Sequence, residues 1–172
     1  MVQVDQALRE HTSYDAIPLG TVKESELPKV FQQMLTVDRV NTVRLEKLVR
    51  ACGWPKNSVH GQQASGDAWM LVQHAEHEAQ TRLLPLVEAA VKAGEASPSH
   101  LAYLADRVAK HEGRPQLYGT QLDQKGPCEF EFSPLDDRTK VNERRKLAGM
   151  PSLEEYERMF REYLSTRGCP SK

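Results

Sequence analysis

Apolar residues recur every three or four positions through most of this chain, and that period commits it to helices. From Leu27 the series runs through Val30, Phe31, Met34, Val37, Val40, Val43, Leu45, Leu48 and Val49. Ser25 can cap this helix, Pro28 is tolerated in its first turn, and Gly53 with Pro55 ends it. Leu101, Leu104, Ala105 and Val108 fall at i, i+3, i+4 and i+7 after Ser99, and Gly113 with Pro115 stops them. Between these two stripes, residues 56–66 read as a loop and a helix starts near Asp67. Its run Trp69-Met70-Leu71-Val72 is apolar on most sides, so the helix is expected to be central. A further stripe holds Leu83, Leu84, Leu86, Val87, Ala90 and Val91. Pro85 inside it predicts a kink, or a break between 75 and 80 that places the proline near a first turn.

The pattern then changes. Residues 116–122 and 128–132 read as two short strands joined by the loop 123–127, with Glu129 to Phe132 alternating strictly. One helix follows from about Asp137 to Leu147, stopped by Gly149 and Pro151. The last opens on a capping box, Ser152 with Glu155, and carries Leu153, Tyr156, Phe160, Tyr163 and Leu164. Residues 1–24 lack periodicity and read as an irregular arm packed through Tyr14, Ile17 and Leu19. The expected architecture is mainly α: the arm, then a single helical domain over 25–172, of about six helices with a small β-hairpin near 116–132.

The net charge of −1 gives no field for a nucleic acid backbone, and the longest basic cluster, Arg144-Arg145-Lys146, sits among acids. No apolar run approaches the ~20 residues that a membrane span needs. The opening MVQVDQALREHTSYD has neither a basic n-region nor an apolar h-region, so no signal peptide is expected. Cys52, Cys128 and Cys169 are far apart and odd in number. They form neither a zinc pattern nor a disulfide framework, and a reducing cytoplasm is the simplest setting.

Chemistry concentrates in four segments. His74 follows Trp69 to Gln73 at the edge of a buried face, where an imidazole serves either as a general acid/base or as a core-edge residue with a satisfied hydrogen bond. His77 and Glu78 lie three and four positions beyond His74, so a helix running through them would offer a metal a pair of ligands. No second segment offers a matching pair, and the three residues otherwise form a solvated face. Asp106 and Arg107 end an apolar helical stripe; the aspartate can orient a histidine or serve as a plain helix-end carboxylate. Gln116, Tyr118, Thr120 and Gln121 form a dense polar loop between Gly113 and Gly119, suited to a small polar ligand or simply to turning the chain. Arg144 or Arg145 can clamp an anion or face solvent.

Taken together, these segments resemble a bacterial domain family of unknown function. The shared features are Gly53-Trp54-Pro55, then Trp69 with Val72-Gln73-His74-Ala75, then Ala102-Tyr103-Leu104 with Asp106-Arg107-Val108. Gln116 with Tyr118-Gly119-Thr120-Gln121 and the pair Arg144-Arg145 complete the pattern over about residues 26–160. The resemblance implies that His74, Asp106, Arg107 and the Tyr118–Gln121 loop belong to one site, but it supplies no activity.

The functional expectation is a metal-independent enzyme, without a cofactor, acting on a small polar molecule by hydrolysis, elimination or cyclisation. His74 is its acid/base and Asp106 the orienter. Arg107 or Arg144 is the anion clamp, and Gln116, Tyr118, Thr120 and Gln121 position the substrate. One alternative is a non-catalytic ligand- or protein-binding module built on the same loop. The other is a metal enzyme with His74, His77 and Glu78 as ligands.

Overall fold

The computed structural model describes residues 1–10, 23–126 and 128–169. Among them the order is α1 (Val2–Glu10), a 3-10 turn (Glu24–Glu26), α2 (Lys29–Cys52), α3 (Asn57–His74), α4 (His77–Lys92), α5 (Pro98–His111), β1 (Leu122–Gly126), β2 (Glu129–Phe132), α6 (Arg138–Leu147) and α7 (Leu153–Thr166). The protein is mainly α with one small antiparallel hairpin, as the apolar period requires. The chain divides into two compact units, Met1–Leu83 and Leu84–Lys172.

In the first unit α2 is the long stripe of the sequence, with Met34, Leu45 and Val49 buried. Pro28 is its N-cap rather than a first-turn residue, because its extended ψ of 145° holds the chain out of the helix. Gly53 ends it, and the following Trp54 is buried with its indole N–H donating to Ser65 Oγ at 3.0 Å. The arm expected at the N-terminus is helical over Val2–Glu10 and packs on α2 and α3. Arg9 fastens it, with its guanidinium donating to both oxygens of Asp38 at 2.6 and 2.8 Å. Tyr14, Ile17 and Leu19 lie outside the described residues.

The loop expected over 56–66 is also helical, interrupted at Gly61, whose φ of 80° no helix accommodates. Helix α3 stops at His74 because Ala75 is extended, with ψ of 157°. Gln80 stabilises the stop: its buried amide donates to the carbonyls of Val72, which also accepts the Ala75 N–H, and Gln73, both at 3.1 Å. Helix α4 then starts afresh at His77, and Pro85 lies well inside it rather than in its first turn.

In the second unit the core is built from Val87, Ala102, Leu104, Val108, Val141 and Leu153. Helix α6 opens on Asp137, whose side chain accepts from the Thr139 N–H, and α7 opens on the expected capping box of Ser152 and Glu155. The hairpin is displaced from its expected place. Strand β1 occupies 122–126, most of what reads as the connecting loop, and pairs Leu122 with Phe132 and Gln124 with Phe130, with a bulge between Gln124 and Gly126. Residues 116–121 are not a strand; side chains take up the N–H groups of Leu117, Tyr118, Thr120 and Gln121 instead.

The cysteine expectation is corrected as well. Cys128, in the turn before β2, and Cys169, just past α7, form a disulfide with Cα atoms 5.5 Å apart, and Cys52 is free and exposed. Pairing across 41 positions is a product of the fold and leaves no spacing signal. Among the described residues no helix is long and apolar enough to cross a membrane.

Candidate functional site

The Gln116–Gln121 loop of the second unit is held by two buried ions of opposite sign. Asp106, fully buried on α5, receives the backbone N–H groups of Leu117 at 2.8 Å and Tyr118 at 3.1 Å on Oδ1. Its Oδ2 receives the N–H of Thr120 at 2.9 Å and the Thr120 hydroxyl at 3.0 Å. A carboxylate has about four lone-pair sites, and these four donors fill them. Burial pushes the carboxyl pKa up, while the hydrogen bonds from Thr120, Tyr118 and Leu117 pull it back down.

Arg145, equally buried on α6, takes up carbonyls of the same loop, one of them on the Gly119–Thr120 peptide whose N–H goes to Asp106. Its Nη1 donates to the carbonyls of Tyr118 at 2.8 Å and Gly119 at 3.3 Å, and its Nε donates to Pro151 at 2.6 Å. The guanidinium also lies over the Tyr156 ring, 4.9 Å from its centroid. Burial raises the Tyr156 pKa to about 12, so at neutral pH this tyrosine is an uncharged phenol, donating weakly to the Thr120 carbonyl at 3.4 Å.

Gln116 is a third internal fastening. Its amide donates to the carbonyls of Gln121 at 3.0 Å and Ser133 at 2.7 Å, and its Oε1 accepts from the Gln121 N–H at 2.7 Å. Its backbone bonds Pro134 and Asp136, which ties the loop to the segment after β2. Gly119 makes the turn, with φ of +66°. A Cβ there would sit 2.8 Å from Leu153 Cδ1 and 3.1 Å from Leu135 Cδ2. Gly119→Ala is therefore expected to cost about 2 kcal/mol, from the left-handed backbone plus overpacking. Gly113 has a similar φ of +69° but open space around it, so Gly113→Ala carries only the backbone cost, about 1 kcal/mol. Urea midpoints that shift equally for the two variants would remove the packing half of this account.

Of the residues singled out in the sequence, Asp106, Gln116, Tyr118, Thr120 and Gln121 thus come together around one loop. Gln121 adds a bond from its own amide to Thr120 Oγ1 at 3.0 Å. Arg144 reaches the same loop from outside, with Nη1 on the Leu117 carbonyl at 3.3 Å and Nη2 on Asp136 at 3.0 Å. Arg107 is half-buried on α5, and burial lowers its pKa. His74 belongs to the first unit, half-buried at the end of α3. The helical stacking of His74 with His77 and Glu78, on which the metal alternative rests, is lost because Ala75 breaks the helix between them. Among the described residues no three His, Cys, Asp or Glu side chains are grouped to hold an ion.

Arg145 is the residue whose importance the sequence understated, although a signal exists. Val141, Arg145 and Ala148 fall at i, i+4 and i+7 and are all buried, so the helical period alone places the arginine on the inner face.

A separate concavity of the second unit has room for a ligand. A cleft of about 610 Å³ lies against the hairpin and α7, walled by Phe130, Phe132, Leu135, Phe160 and Leu164. Arg138, Arg161, Glu157 and Glu131 are its charged lining, and Arg161 donates to Glu157 at 2.7 Å. Phe130 meets Phe160 edge-to-face with centroids 5.1 Å apart.

No curated protein and no solved structure matches this chain. Residues 1–167 match the model of DUF6624, a family of unknown function, and the chain belongs to that family.

Proposed function

We propose that this protein is a ligand-binding module and that the cleft of its second unit takes a small amphipathic anion, an aromatic or acyl body with an acidic head. The observation that carries the reading is the filling of Asp106 by four donors of its own loop. An aspartate that orients a catalytic imidazole needs a free lone pair facing the ring N–H, and this one is already occupied as a loop organiser. Recognition without reaction, expected from the sequence on the Gln116–Gln121 loop, is therefore favoured over the histidine acid/base, with the cleft rather than the loop as its site.

The cleft suits that role in size and lining. About 610 Å³ is within the usual range for small-molecule sites, and the phenylalanines supply the apolar body contact. Arg161 is already paired with Glu157, so Arg138 is the guanidinium assigned to the acidic head. The disulfide supports an oxidising compartment over the cytoplasm expected from the sequence.

Fluorescence titration with anilinonaphthalene sulfonate, an aromatic anion, tests the reading, with dodecanoate as competitor. Phe160→Ala is expected to weaken binding about tenfold, a loss of about 1.4 kcal/mol. Arg138→Gln is expected to weaken it severalfold and to flatten its salt dependence. His74→Ala is expected to leave it unchanged. Wild-type affinity in both cleft variants, with loss in His74→Ala, would overturn the proposal and return attention to the histidine.

A further inference from the structure

The disulfide and the cleft share a wall, and from this we infer that Cys128–Cys169 is a redox latch on the ligand site. The inference rests on the binding role proposed for that cleft and adds its regulation.

Helix α7 is held very unevenly along its length. Its first turns are anchored by fully buried Leu153, by the capping box, by Asn142 donating to Glu154 at 2.9 Å, and by Arg145 over Tyr156. Its last turns carry Arg158, Met159, Arg161, Glu162, Tyr163, Ser165 and Thr166, all exposed. Phe160 and Leu164 are the half-buried exceptions, and both line the cleft. Cys169 follows directly, bonded to Cys128, which itself lines the cleft and is exposed. The covalent bond thus closes the far end of α7 onto the hairpin beyond the Phe130–Phe160 contact, where the residues of α7 are mostly exposed. A helix end with few buried contacts opens readily once such a tie is cut.

The chemistry needs a dithiol reductant from outside the protein. One of its thiolates attacks the sulfur of Cys128, an exposed residue, the S–S bond breaks, and the sulfur of Cys169 leaves as a thiolate and takes up a proton. The second thiol of the reductant, as thiolate, then attacks the reductant's own sulfur in the mixed disulfide, and the sulfur of Cys128 leaves as a thiolate and takes up a proton. Two electrons pass to the protein, which ends with two thiols, and the reductant ends as a disulfide. Oxidised protein keeps Phe160, Arg161 and Leu164 in the cleft wall; reduced protein releases them and loses affinity.

The test uses the full chain with Cys52→Ser, so that the only remaining thiols are those of the pair. Hydrogen exchange and anilinonaphthalene sulfonate binding are measured before and after dithiothreitol. Faster exchange over 160–169 on reduction, with α5 unchanged and probe affinity down about tenfold, supports the latch. Adding Cys128→Ser should give the reduced behaviour with no response to dithiothreitol. Unchanged exchange on reduction overturns the latch whatever the probe does. So does faster exchange with unchanged affinity, provided that Phe160→Ala still weakens binding. If Phe160→Ala does not weaken binding, the ligand reading fails separately, and exchange alone decides whether the latch stands. Two titratable thiols in protein purified without reductant would show that the bond does not form and would also overturn it.

Discussion

Asp106→Ala is expected to cost this protein about 4 kcal/mol and to release the Gln116–Gln121 loop. Three backbone N–H groups and one hydroxyl converge on the carboxylate within 3.1 Å, and alanine offers none of them an acceptor. A buried donor left without a partner costs roughly 1–3 kcal/mol, reduced where water can enter the space vacated. The estimate is large against a typical domain stability of about 5–15 kcal/mol. Asp106→Asn separates the two contributions. It keeps one oxygen but turns an NH2 group toward two of the donors, and about 2–3 kcal/mol should be lost. Urea melts of the two variants give the order, and hydrogen exchange at Leu117, Tyr118 and Thr120 locates the effect. A stable Asp106→Ala protein with those amides still protected would show that the loop does not depend on the carboxylate.

The same loop marks the limit of what the sequence discloses. The longer amphipathic helices are legible because burial follows the 3.6-residue period, and the turns because Gly53, Gly149 and the capping box carry local signals; α1 and the first turns of α3, which carry no clear apolar stripe, are not. Residues 116–121 resemble a strand because hydrogen-bonding side chains there look like those of a half-exposed sheet. The competing partner, Asp106, lies ten or more positions earlier, and nothing local announces that it takes the backbone donors. Once those donors are committed, pairing begins at Leu122, and the hairpin moves along the chain. The cysteine pair leaves no local signal for the same kind of reason, since its spacing is set by where α7 ends in space. Asp106, Gln116, Tyr118, Thr120 and Gln121 stand out in the sequence as polar groups and meet around one loop, whereas His74, grouped with them by the resemblance, belongs to the other unit. Their shared task in holding the loop became visible only with the bond directions.

Arg145→Met should lose about 3–5 kcal/mol, although methionine fills a similar apolar stem. Its guanidinium serves the carbonyls of Tyr118, Gly119 and Pro151, and its charge stands near that of Asp106. Replacing a whole buried ion pair by apolar groups is often neutral, but removing one member leaves the other uncompensated, and that is the costly case. Arg145→Lys restores the charge without the fork, so one carbonyl at most regains a well-aligned donor and about half the loss should remain. The decisive measurement is a double-mutant cycle with Asp106→Asn. Because both ions grip the same loop and meet on the Gly119–Thr120 peptide, once one ion has been altered, replacing the other should cost less, and the two losses should fall short of adding. Additive losses would mean that the aspartate and the arginine hold the loop independently. A wild-type melting temperature for Arg145→Met would mean that the arginine does not hold it at all.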